Sequence, residues 1–110
     1  EKLLDSLEKL AQENPEGFTV YLPSLEFVSS GWVISNKATQ NCFGREGLKK
    51  VVEFAMKHNR IVGGYRNAEG IFQYDSSIVE PNEQIAITLM VIHDQDAIYH
   101  LETGRLIWRE

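Results

Sequence analysis

Lys37, Thr39, Gln40 and Asn41 place an amine, a hydroxyl and two carboxamides within five residues that show no hydrophobic period and lie just before a helix-forming segment. The free N–H groups and positive dipole end of such a helix attract anions, so this set suits a carboxylate or phosphate of a small ligand. Gly63 and Gly64 interrupt the strand-like run Ile61 to Arg66. Glycine there marks a bulge, a close helix crossing or the approach of a ligand, and the pair completes the candidate binding set. Each feature also has a structural role: Thr39 or Asn41 can cap the helix, and the glycines can serve packing alone. Caps are common and binding loops few, which makes the structural role the first expectation at both places.

The remaining chemistry-bearing residues are scattered. His58, His93 and His100 offer no i, i+4 pair, so no metal site is expected. Cys42 stands near a helix start, where a thiol pKa can fall, yet a single cysteine without a local signature reads as a packing thiol. Asp75-Ser76-Ser77 suits hydrogen bonding at a strand end or turn as well as it suits chemistry. The glycines match neither a phosphate loop nor a dinucleotide fingerprint. No catalytic residue and no cofactor is expected, and a domain without enzymatic activity is the favoured reading.

A second candidate surface comes from aromatic and arginine side chains, the types that anchor protein interfaces. Trp32, Tyr65, Phe72, Tyr74, Tyr99 and Trp108 are more large aromatics than a small sheet needs inside it. Alternation along Arg105 to Arg109 sets Leu106 and Trp108 on one face and Arg105, Ile107 and Arg109 on the other, as on an amphipathic edge strand. Tyr65, Arg66, Arg105 and Trp108 therefore form the candidate interaction surface, for another protein or for a second copy. The runner-up is a small anionic ligand, bound or modestly transformed at residues 35–44.

The elements that must position these residues follow from periodicity. Leu3, Leu4, Leu7, Leu10 and Ala11 make residues 2–13 an amphipathic helix, which Asn14-Pro15 ends. Short strands are expected at Phe18 to Leu22 and Leu25 to Ser29 about a Pro23-Ser24 turn, and a third begins at Trp32. Residues 45–58 alternate apolar and charged arcs as a surface helix does. Ile61 to Arg66 and Gly70 to Ser76 pair as a hairpin, and residues 82–94 suit a helix better than a buried strand. Ala97 to Leu101 and Arg105 to Trp108 close the chain as a second hairpin, with Gly104 free to take a positive φ. The order α-βββ-α-ββ-α-ββ predicts one α+β domain over 1–110 with a mainly antiparallel sheet. A doubly wound nucleotide-binding fold lacks both its crossovers and its glycine fingerprint.

The chain has 110 residues, 43% hydrophobic and 25% charged, which is enough for one core and ordinary for a globular domain. Its net charge of -5 disfavours general binding to nucleic acid or anionic lipid. The longest apolar run, Ile85 to Ile92, is far too short to span a bilayer, and no signal peptide is legible. One cysteine rules out an internal disulfide and makes the cytoplasm the expected setting. The first residue is Glu1 rather than methionine, so an excised or processed piece of a longer protein stays an open reading.

The pattern Gly31-Trp32-Val33-Ile34, Lys37-Ala38-Thr39-Gln40-Asn41, Phe43-Gly44 and Gly47-Leu48, followed by Ile61-Val62-Gly63-Gly64-Tyr65 and Tyr74-Asp75-Ser76, resembles a family of small uncharacterised bacterial proteins. The resemblance covers roughly residues 17–108 and implies a helix over 82–94 before the Ala97-Ile98-Tyr99 strand. It implies no activity, so no residue role is carried over.

Overall fold

The computed structural model of the chain describes residues 1–110. Helix α1, Lys2–Glu13, buries Leu4, Leu7 and Ala11, the stripe set by its sequence period. Asn14 ends it, donating both its backbone N–H and its side-chain amide to the carbonyl of Leu10 at 2.9 and 3.0 Å. Strands β1 (Phe18–Tyr21), β2 (Trp32–Ser35) and β3 (Cys42–Phe43) precede helix α2, Gly44–Met56. Strands β4 (Ile61–Arg66) and β5 (Phe72–Glu80) follow as a hairpin, then helix α3 (Glu83–Ile92) and a final hairpin of β6 (Ala97–His100) and β7 (Leu106–Trp108). The segment 82–94 thus holds a helix, Glu83–Ile92, started by Asn82, whose side-chain oxygen accepts the Ile85 N–H at 3.0 Å. Gly104 takes a φ of 74° at the final hairpin. No helix is long and apolar enough to cross a membrane.

The α+β class and the antiparallel sheet hold, with three corrections in detail. Leu25 to Ser29 is not a strand: Leu25 has a φ of 65°, incompatible with an extended run, and the segment is tied to β1 by an isolated Val20–Phe27 bridge and by bonds of 2.9 Å from the Val28 N–H to the Thr19 carbonyl and from the Tyr21 N–H to the Glu26 carbonyl. The third β segment is instead the two-residue β3, beyond the polar tract. Strand β5 continues past Ser76 to Glu80, because its second half gains a new neighbour in β2.

The sheet order is β1-β4-β5-β2-β6-β7, with β3 also on β5, and every pairing is antiparallel. Side chains alternate along each strand, so the registers assign the two faces. One face carries the helices. There α1 and α2 share a cluster of 12 buried residues with Phe18, Val20, Val62 and Tyr74, while α3 packs Ala86 and Met90 on Trp32, Ile34 and Ile98 in a separate cluster of 5. On the other face Thr19 is opposite Gly63, Gly63 opposite Asp75, and Ser77 opposite Ser35, with Tyr99, Leu106 and Trp108 further along.

Candidate functional site on the uncovered sheet face

No helix packs on that second face, and it forms a groove of ≈ 950 Å³. Residues of β1 and of β7, the two ends of the strand order, line the same groove, so the sheet curls with its uncovered side concave. The walls are apolar and open to solvent: Trp108 is 65% exposed, Phe27 55% and Tyr65 50%, with Tyr99 and Leu106 beside them. Isolated exposed hydrophobics are ordinary, but five large ones around a single concavity are a patch of the kind that marks an interaction site.

The floor is polar. Asp75 projects from the middle of β5, partly open to the groove and otherwise surrounded by protein, and burial pushes its carboxyl pKa up. Hydrogen bonds from the Ser77 and Ser35 hydroxyls oppose that rise, the Ser77 bond being 2.6 Å. Gly63 faces this pair across the ladder: a Cβ there would lie 2.7 Å from Ser77 Oγ and 3.1 Å from the Phe18 carbonyl oxygen. A Cβ on Gly64 would meet the Phe72 ring and the Gln73 carbonyl on β5. The ladder register runs unbroken through both glycines, so cross-strand crowding, and neither a bulge nor a helix crossing, explains them.

Next to the groove lies a smaller polar cavity of ≈ 270 Å³ that shares Tyr65, Asp75 and Asp96 with it and brings in Thr39, Gln40 and Asn41. The polar tract expected from sequence is thus partly at a concavity, but its members do different things. Residues Lys37–Thr39 form a single 3-10 turn capped by Asn36, whose side chain accepts from the Ala38 N–H at 2.9 Å. Thr39 is buried; its Oγ1 accepts the Ser76 N–H at 2.9 Å and donates to the Asn36 carbonyl at 3.2 Å. It fills the ladder gap between β2 and β3. Helix α2 has Phe43 as its N-cap with no side-chain cap bond, so neither Thr39 nor Asn41 caps it. Lys37 engages the fold through its backbone, donating its N–H to His93 Nδ1 at 3.3 Å, and its side chain is not part of either cavity wall.

The candidate interaction residues also divide. Tyr65 and Trp108 meet in the groove. Arg66 is occupied at the β4–β5 turn, donating to the Gly70 carbonyl at 2.8 Å, and Arg105 lies on the helix-bearing side, 5.6 Å over the Trp32 ring and 3.9 Å from Glu83. Cys42 differs from a reactive thiol: burial and the Asp75 charge raise its pKa, outweighing Lys50. His93 is held toward its neutral form by burial and by Lys37. Asp75 and Ser77 are groove residues that the sequence weighed without assigning to a site; their signal is the alternation Gln73, Asp75, Ser77, Val79 against Phe72, Tyr74, Ser76, Ile78.

Charge distinguishes the groove further. Glu16, Asp75 and Asp96 line it, no Lys, Arg or His does, and none of the three carboxylates is in an ion pair. Asp94 adds a fourth carboxylate at the adjoining cavity, paired with Arg109. Comparison with protein-family models, with curated proteins and with solved structures gave no match.

Proposed function

We propose that this protein is a non-enzymatic interaction module whose contact surface is the uncovered, concave face of its sheet. The observation that carries the reading is the ring of exposed Phe27, Tyr65, Tyr99, Leu106 and Trp108 around one groove that no element of the chain covers. A catalytic reading has less support. Ser77 is fully buried beneath Asp75, the thiol of Cys42 is held protonated, and the exposed Thr103 hydroxyl, 2.8 Å from His100 Nδ1, lies outside both cavities. The smaller cavity, where Thr39, Gln40 and Asn41 converge with Asp75, supports a small polar ligand as the second reading, and its carboxylates favour a neutral or cationic ligand over an anion. The setting we propose is the cytoplasm, in keeping with the single unpaired cysteine.

The test is affinity capture and self-association measured for the wild type, for a Tyr65→Ala/Trp108→Ala variant, and for Ile92→Ala, which removes an equally exposed side chain from α3 on the other face. Association lost only in the groove variant, with an unchanged circular dichroism spectrum, supports the reading. Equal association in all three proteins overturns it.

A further inference from the structure

Two observations define what fits the groove, and both rest on the reading of this face as the contact surface. The first is the free edge of β7. Its bonds to β6 use the odd positions: the His100 N–H donates to the Arg105 carbonyl at 2.8 Å, and the Arg109 N–H to the Asp96 carbonyl at 2.8 Å. Strand β7 has no neighbour on its other side, so the main-chain groups of Leu106 and Trp108 face outward while their side chains form the groove wall. An exposed edge of this kind is completed by an extended chain, whose alternate side chains then lie over the face. The second is charge: Glu16, Asp75 and Asp96 stand without an ion-pair partner among aromatic rings, with no basic residue in the lining. Carboxylates and aromatic faces attract the same partner, an ammonium or guanidinium group.

We propose that the groove receives an extended, Lys- or Arg-bearing segment of a partner protein, which pairs with the free edge of β7 and directs its basic side chains between Tyr65 and Trp108 toward Asp75 and Asp96. A Cβ at Gly63 would lie 3.5 Å from Asp75 Oδ1, so a larger residue there would crowd the carboxyl group. Leu106 and Trp108 supply the main-chain bonds, the aromatic walls the apolar contact, and the carboxylates the selectivity.

A random nonapeptide library displayed on phage is selected against the immobilised full chain, and the enriched peptides are titrated by NMR. Basic residues at alternate positions should be enriched. The peptides should shift the Trp108 indole and slow exchange of the Leu106 or Trp108 amide. Asp75→Asn/Asp96→Asn should weaken binding at least about tenfold, equivalent to ~1.4 kcal/mol, whereas Glu46→Gln on α2, outside the groove, should leave it unchanged. Enrichment of neutral or acidic peptides that still shift Trp108 overturns the basic-segment proposal and leaves the contact face intact. Failure to enrich any peptide overturns it too, and the Tyr65→Ala/Trp108→Ala experiment then decides the contact face independently. Sedimentation that shows a dimer dissociated by Trp108→Ala makes a second copy the occupant, which also overturns the proposal.

Discussion

Asp75 shows how one residue can be costly to the fold and useful to a site. Burial raises its pKa above the ordinary 3.8, so the folded state binds this proton more tightly than the unfolded chain. Its contribution to stability is therefore complete below 3.8 and is lost as pH rises through the folded-state value. Asn at this position keeps an oxygen that can accept from Ser77 but carries no charge. Asp75→Asn should raise the urea midpoint at neutral pH and give no gain below about pH 3, where the aspartate is protonated in both states; a gain of equal size at both pH values would place the effect elsewhere than in ionisation. Gly63 makes the opposite case, a residue required for what it lacks. Gly63→Ala drives a methyl against Ser77 Oγ and the Phe18 carbonyl, and should cost about 1–3 kcal/mol in denaturant titration. Adding Ser77→Ala removes the first clash and should recover part of that loss, leaving the backbone contact.

The polar tract between β2 and β3 is an element in its own right, a bridge that carries the chain across a gap in the ladder beside β5. Thr39 closes that gap, so Thr39→Val leaves the buried Ser76 N–H without an acceptor and should cost about 1–3 kcal/mol, with faster hydrogen exchange at Ser76; Thr39→Ser should lose much less. Unchanged exchange at Ser76 in Thr39→Val would mean the hydroxyl is dispensable. At this scale the sequence was readable where a period ran long enough. The stripe of α1, the two arcs of α2, and the Asn82 start of α3 are local patterns. So is the alternation that separates Arg105 from Trp108. Strand β5 reads short from sequence because Asp75-Ser76-Ser77 has the composition of a turn, and its place inside a strand depends on β2 arriving alongside from far earlier in the chain, Ser35 against Ser77. Leu25 to Ser29 erred the other way, an apolar run broken by one left-handed residue. The groove was least legible, since its residues come from six strands and meet only through the curl of the sheet. Type alone marks Tyr65 and Trp108 in the sequence, whereas the charge that marks Lys37 lines neither cavity.

The whole molecule is built as two unequal halves joined by β5, whose first part pairs with β4 and whose second pairs with β2. Helices α1 and α2 cover the first half with 12 buried residues, and α3 covers the second with 5. Buried apolar area sets how costly it is to open a region, so α3, β6 and β7 should open together at a lower free energy than α2, β4 and the start of β5. Native-state hydrogen exchange should resolve two sets of amides on that basis. Leu48→Ala, a cavity of about 2–5 kcal/mol in the larger cluster, should speed exchange in α2 and β4 and leave the partial opening of α3, β6 and β7 nearly unchanged. Equal acceleration throughout the chain would show one cooperative unit instead. The division matters for binding because the free edge and Trp108 belong to the weaker half, while Asp75 and Tyr65 belong to the stronger. A segment lying across the groove would tie one half to the other, and bound peptide should therefore raise protection in α3 and β6, which it does not touch through its main chain, as well as in β7.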